Sequence, residues 1–320
     1  MRAFIFFLIL FLIAGCGKKM DPTLEDYLQP SPVRELKLSA FTDKIVISWS
    51  YPEKNKLKIS SFLLERESDG QKKSLGFLET DVSSYEDKDF TFGQTYKYRI
   101  FAVNKKGIYS DPVENMIAAK KLAEIERLNY QITPDGVLLS WNLQNEAQFS
   151  DDSEHKDSES LMFNIYRISA TKEKIKKGST DKSFFLDEMS SSMFKSYALT
   201  FLTYFVTPYV STESTYIEGQ GTEITIPLEE FIPSEPQEVF WTVNENGVYI
   251  SWKEIPEKWI KAYRIYRMSE RGFVLIGESL IPLFFDSDYK RLDNEEINLK
   301  YKITVVGPAF ETQGVVIDVR

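Results

Sequence analysis

Apolar and polar residues alternate along this chain in short runs, and the same runs recur three times. Lys44-Ile-Val-Ile-Ser-Trp49, Gly136-Val-Leu-Leu-Ser-Trp141 and Gly247-Val-Tyr-Ile-Ser-Trp252 align, each ending in Ser-Trp. A second set follows each tryptophan: Phe62-Leu-Leu-Glu-Arg66, Phe163-Asn-Ile-Tyr-Arg167 and Tyr263-Arg-Ile-Tyr-Arg267. A third set is Tyr96-Lys-Tyr-Arg-Ile100, Tyr204-Phe-Val206 and Tyr301-Lys-Ile-Thr-Val305. Period-two alternation rich in aromatic and β-branched residues predicts half-buried strands. Each repeat opens on a further short strand: Pro32-Val-Arg-Glu-Leu36, Ile125 to Leu128, and Pro236-Gln-Glu-Val239. Beyond the amino-terminal segment no helical period of similar length occurs. The repeats predict an all-β chain with domains at 32–119, 123–229 and 233–320.

On these residues the chain resembles the fibronectin type III family, an immunoglobulin-like sandwich of seven strands and ~100 residues. The first repeat carries the resemblance best. It implies that Trp49 is the buried tryptophan of strand B. Phe90-Thr-Phe-Gly-Gln-Thr-Tyr96 is similar to the family's Leu-x-Pro-Gly-x-x-Tyr segment, with Tyr96 as corner tyrosine and Phe92 in place of proline. Ala102-Val-Asn104, Gly107 and Ser110 match the hairpin that follows. The third repeat keeps Trp252, Tyr263 and Tyr301 but has Gly307-Pro308 where Ala-Val-Asn would stand. The second keeps Trp141 and Tyr204 and diverges most. The expected fold is three tandem fibronectin type III-like β-sandwiches after a lipoprotein signal peptide. Large aromatic side chains suit the gap of about 10 Å between two packed sheets.

The amino-terminal segment has its own pattern. Arg2 precedes an unbroken apolar run, Phe4 to Ile13, and then come Ala14, Gly15 and Cys16. The run falls short of the ~20 residues a membrane-spanning helix needs, so it predicts an export signal. Leu12-Ile13-Ala14-Gly15-Cys16 resembles the lipobox of bacterial lipoproteins. That resemblance implies removal of 1–15, diacylglycerol on the Cys16 sulfur and acylation, such as palmitate, of the new amine. Cys16 is the only cysteine, so no intrachain disulfide can form. Several acyl chains hold a protein on a membrane far more firmly than one. Gly17, where Asp would retain a lipoprotein in the inner membrane, implies the outer membrane of a Gram-negative bacterium. Cys16-Gly17-Lys18-Lys19 also resembles the head of a short outer-membrane lipoprotein family linked to maturation of the lipopolysaccharide translocon. It departs from that head at Met20 and Asp21. Residues 16–31, with Pro22 and Pro30, predict a lipidated tether; 17–31 could span about 50 Å if fully extended.

Composition narrows the function. Aromatics at 14% and hydrophobics at 42% indicate folded domains. The formal charge of −9, which becomes −10 once Arg2 leaves with the signal, argues against nucleic acid as a partner. Glu146, Asp151, Asp152, Glu154, Asp157 and Glu159 crowd an insertion at 143–160 in the second repeat, with His155, the only histidine, among them. Hard cations want several carboxylates, but this spacing matches no calcium loop and has no Gly turn, so a solvated loop is expected and no metal site. A lone His there supplies neither a triad nor a zinc site, and lipidation consumes Cys16. No catalytic residue and no cofactor is expected. Trp259, in the B–C loop of the third repeat, is the candidate binding residue, because loop tips of sandwiches often bind; packing against a neighbouring domain or its own core is the alternative. Trp241 lies on that repeat's first strand, and the apolar stretch Phe194 to Phe205 is expected in the second core. The expected function is a non-enzymatic, membrane-anchored cell-envelope lipoprotein that binds or scaffolds a protein. Peptidoglycan or other glycan binding, and assembly of an outer-membrane complex, are the alternatives. Expected partners are membrane lipid, through acylated Cys16, and an envelope protein or glycan facing the periplasm or exterior.

Overall fold

A computed structural model describes residues 27–144, 160–194, 199–289 and 298–320. Cys16, the signal segment, and His155 with the acidic residues around it lie outside the described residues. The chain packs as two compact units, the body of the first sandwich being one, the second and third sandwiches together the other.

The first sandwich contains β1 (Arg34–Ala40), β2 (Ile45–Ser50), β3 (Ile59–Ser68), β4 (Gln71–Leu78), β5 (Ser84–Asp87), β6 (Thr95–Asn104) and β7 (Val113–Ala118). They form sheets ordered β1-β2-β5 and β4-β3-β6-β7. The second has β8 (Ile125–Thr133), β9 (Gly136–Leu143), β10 (Met162–Ile168), β11 (Lys174–Thr180), β12 (Phe184–Glu188), β13 (Phe201–Ser211), β14 (Thr215–Glu218) and β15 (Thr222–Pro227). Here β12-β9-β8 faces β11-β10-β13, and the last strand is split, β14 and β15 pairing successive halves of β13. The third has β16 (Gln237–Asn244), β17 (Gly247–Lys253), β18 (Ala262–Ser269), β19 (Gly272–Ser279), β20 (Leu283–Asp286), β21 (Leu299–Val306) and β22 (Val315–Val319). Its sheets run β16-β17-β20 and β19-β18-β21-β22. All three are thus three-on-four antiparallel sandwiches of the fibronectin type III kind, as the repeats predict.

The repeats match in detail. A β-bulge breaks the pairing of β3 with β4, β10 with β11, and β18 with β19, each time next to a glycine: Gly76, Gly178 or Gly277. In each core the strand-B tryptophan meets the first aromatic of the second set. Trp49 lies 5.6 Å from Phe62, Trp141 5.0 Å from Phe163 and Trp252 5.0 Å from Tyr263, ring centre to ring centre. The indole N–H groups of Trp49 and Trp141 have no hydrogen-bond partner in their cores, so these rings are held by packing alone.

One polar cluster recurs beside these rings. Asp87 Oδ2 accepts from Arg66 Nη1 at 2.7 Å and from the Tyr98 hydroxyl at 2.9 Å. Asp187 accepts from Arg167 and, at 2.7 Å, from the Tyr204 hydroxyl. Asp286 accepts from Arg267 at 2.6 Å and from the Tyr301 hydroxyl at 2.7 Å. The arginine and tyrosine stand opposite each other on neighbouring strands of the four-stranded sheet. The aspartate comes across from the short last strand of the other sheet. This register corrects the alignment of the third set: Tyr98, not Tyr96, is the counterpart of Tyr204 and Tyr301. Tyr96, the expected corner tyrosine, donates instead to the Gln94 side chain at 2.9 Å.

Two glycines make room for the cluster's backbone. A Cβ on Gly136 or Gly247, both at positive φ, would run into the carbonyl oxygen of Asp187 or Asp286. A side chain there would push the aspartate strand away.

Residues 27–29, expected in the tether, make contacts with the first sandwich. The Leu28 carbonyl accepts from Asn104 Nδ2 at 3.1 Å, and Gln29 donates to Asp111 at 3.2 Å. Asn104 Oδ1 takes the backbone N–H groups of Lys106 and Ile108, which leaves its amide nitrogen for Leu28. Residues 27–29 therefore belong to the first sandwich.

Two predictions follow from the cluster. Asp187→Ala leaves the Arg167 charge without its buried partner and should cost about 3–5 kcal/mol in urea denaturation. The triple replacement Arg167→Met, Asp187→Leu, Tyr204→Phe removes every polar member and should cost much less. Burial, with the facing carboxylate, raises the hydroxyl pKa of Tyr98, Tyr204 and Tyr301 above the ordinary phenol value of 10.0. The folded chain then holds these protons where the unfolded chain has released them. Their contribution is full below about pH 10 and is lost as pH rises beyond it. Urea midpoints should fall on the alkaline side, and a variant with all three tyrosines changed to Phe should show a shallower fall.

Candidate functional site

Trp259 does not present its ring to a ligand. It is 1% exposed and sits in the core of the second sandwich, although it belongs to the third. Its indole N–H donates to the Thr133 carbonyl at 2.8 Å. Phe231, in the linker between the two sandwiches, meets it edge-on at 5.3 Å and also packs on Phe194. The neighbouring Lys258 donates its backbone N–H to Pro134 at 2.9 Å and its ammonium to Asp135 at 2.6 Å. The loop bearing Trp259 is thus a plug into the A–B turn of the second sandwich. Of the apolar stretch Phe194 to Phe205, Phe194, Leu202 and Tyr204 are in that core as expected, and Phe201 is exposed.

The exposed aromatic surface lies elsewhere on the third sandwich. Val248, Ile250 and Trp252 of β17 point into the core, so Tyr249 and Ser251 point out. Phe285 lies directly across from Tyr249, and Leu283 from Ser251, on β20. On the other side Thr242 faces Tyr249 and Phe240 faces Ser251, on β16. The rings of Tyr249 and Phe285 stack at 4.3 Å with 23° between planes. Phe240 is 64% exposed, and Tyr249, Leu283 and Phe285 are exposed as well. These six outward positions hold no charged residue. A Lys253–Glu238 ion pair at 2.8 Å bounds the face at one end. Trp241, opposite Ile250 in register, is also exposed at 42%.

The sister sandwiches differ at the same positions. In the first, Glu86 and Ser84 take the places of Phe285 and Leu283. In the second, Asn129 and Gln131 of β8 take the places of Phe240 and Thr242, and Leu138, Leu186 and Phe184 those of Tyr249, Phe285 and Leu283. Most of the exposed large apolar side chains among the described residues belong to the third sandwich. Monomeric proteins rarely expose large contiguous apolar patches. The polar side-chain groups of this face are the hydroxyls of Thr242, Ser251 and Tyr249.

The sequence carries a signal for this face in the loss of alternation. Phe240-Trp241, Val248-Tyr249-Ile250 and Leu283-Phe284-Phe285 are apolar in both phases of the strand. A strand with one wet face would keep one phase polar.

No protein-family model matches the chain, and no curated protein does. Among solved structures it is similar to the FN1–FN3 domains of chicken CNTN1, at 14% identity over 91% of this chain and 98% of that one, with a TM-score of 0.24. It is similar to a myokine structure at 14% identity over 29% of this chain and all of the other, with a TM-score of 0.26. A segment of two fibronectin type III domains from chicken tenascin gives 13% identity over 62% of this chain and 99% of that one, with a TM-score of 0.26. At such TM-scores these likenesses carry no argument, and the assignment of the fold rests on the strand order and register above.

Replacing Trp259 by Ala empties a buried site shared by two sandwiches and should cost about 3–5 kcal/mol. Thermal unfolding by calorimetry should then show the third sandwich melting apart from the second. Trp259→Phe fills most of the space but leaves the Thr133 carbonyl unpaired, at about 1–3 kcal/mol.

Proposed function

We propose that this chain is a non-enzymatic, membrane-anchored envelope lipoprotein that binds another envelope protein through the outer face of β16, β17 and β20. The exposed stack of Tyr249 and Phe285 beside Phe240 is the observation that carries this reading. Aromatic side chains dominate the energetics of protein interfaces and gather at their centres. A protein fits the face better than a sugar. Sugar sites set several hydrogen-bonding groups beside their rings, whereas this face has only the hydroxyls of Thr242, Ser251 and Tyr249. The lipobox-like segment ending at Cys16 supports the anchor, with Gly17 favouring the outer membrane. Lipid on Cys16 would confine the chain to a membrane surface, and the Trp259 plug would hold the binding face to the second sandwich.

A photo-crosslinking residue at Thr242, in the full lipidated chain in its native envelope, tests this reading. It should join the chain to one partner protein. Phe240→Ser with Phe285→Ser should weaken that capture about thirtyfold or more without lowering the melting temperature. Undiminished capture by the double variant would sink the proposal. Cys16→Ala should move the chain from the membrane fraction to the soluble one and leave partner affinity unchanged.

A further inference from the structure

The third sandwich has a second unusual feature, on its other sheet. β19 is an edge strand. Edge strands present unpaired main-chain groups, and proteins guard them with charge, lysine above all. The equivalent edges here are guarded. Register against the equivalent Arg66, Arg167 and Arg267 aligns Lys72, Lys73 and Ser74 of β4 with Lys174, Ile175 and Lys176 of β11 and with Phe273, Val274 and Leu275 of β19. β19 has no charged residue from Gly272 through Gly277. Val274 and Leu275 are both exposed, and the strand runs on into an exposed turn where Leu280 is 81% exposed.

Val305 N–H donates to Thr312 Oγ1 at 3.0 Å, and the Val305 carbonyl accepts from Thr312 N–H at 2.9 Å. Val305 therefore turns its main-chain groups away from β18, and its cross-strand partner Tyr263 turns its own toward β19. Alternation along β18 gives the same direction to Ile265, Arg267 and Ser269. Their partners include Val274 and Gly272. Phe273 and Leu275, between and beyond these, direct N–H and C=O to the open side. The bulge at Ile276 ends the regular stretch, so the edge offers two donors and two acceptors in a row.

We infer that β19 is a strand-accepting edge, which takes an extended segment of a partner protein as a fifth strand of the β19-β18-β21-β22 sheet. Only an extended backbone matches that spacing of donors and acceptors. Phe273 and Leu275 lie two residues apart on one face, so the segment would carry apolar residues at alternate positions. This surface is separate from the face of β16, β17 and β20, and each can fail without the other.

The test uses the full chain and a fluorescein-labelled peptide with the sequence of β18, Ala262–Ser269, the strand that already pairs with β19 on its inner side. A twin peptide N-methylated at alternate residues keeps the side chains and charge and loses the donors. The plain peptide should bind about tenfold more tightly than its twin by anisotropy, and slow amide exchange at Phe273 and Leu275. Val274→Lys with Leu275→Lys copies lysines found at Lys73 and Lys176 and should abolish binding. The Lys73 ammonium pairs with Asp89 at 2.8 Å, and Asp288 stands in the equivalent place, so the variant should fold. Phe240→Ser should leave peptide binding unchanged. Equal binding of the two peptides, no binding of the plain one, or full binding to the lysine variant would each overturn the inference. So would a dimer in sedimentation that the lysine variant dissolves, since the occupant would then be a second copy.

Discussion

An aspartate carboxylate held between a guanidinium and a phenol ties the two sheets of every sandwich together. The three-stranded sheet delivers the carboxylate, and the four-stranded sheet delivers both donors from residues that face each other across adjacent strands. A buried charge without a partner costs several kcal/mol, so the carboxylate fixes where the short strand bearing it must sit. Other features answer to that position. The glycines at 136 and 247 let strand B pass close to the aspartate backbone, and the strand-B tryptophan packs against the first aromatic of the arginine-bearing strand. In Asp87 and Asp286 the second carboxylate oxygen accepts a backbone N–H two residues on, which turns the chain out of the strand. The cluster thus sets sheet spacing and strand ends together, and it does so without disulfides.

The third sandwich departs from its sisters outside this shared frame. Its inward positions keep the common pattern, while its outward ones on β16, β17 and β20 include the rings of Phe240, Tyr249 and Phe285, and its edge strand β19 lacks lysine. Neither change helps the core, since these side chains face away from it. Exposed apolar surface favours association, and a stable sandwich gains nothing from displaying it. The plug at Trp259 gives this sandwich a fixed attachment to the second, so a partner bound there would pull on a packed junction.

Much of the fold was legible because burial in a sandwich imposes period two on each strand. Three Ser-Trp endings, at Trp49, Trp141 and Trp252, exposed the repeats. The aspartates escaped notice because each ends a four-residue strand, too short for a period: Ser84-Tyr-Glu-Asp87, Phe184-Phe-Leu-Asp187, Leu283-Phe-Phe-Asp286. Tyr96 aligns in sequence with Tyr204 and Tyr301 because Tyr96 and Tyr98 share one face of β6, and a two-residue shift looks the same in either register. Only the arginine opposite tells them apart.

The sequence alone determined that the chain is a series of alternating strands in three repeats, with one cysteine placed behind an apolar leader-like run. Local physics suffices for this, because alternation, turn residues and run length are properties of neighbouring positions. The tertiary structure decided what each aromatic does. Trp259 and Phe240 are both large apolar residues on strands or loops of the same repeat, and nothing near them in sequence separates them. One meets the Thr133 carbonyl and a neighbouring core, while the other meets solvent. Burial belongs to what the rest of the chain brings to a residue, and residues 126 positions apart enter each other's surroundings only after the fold has formed.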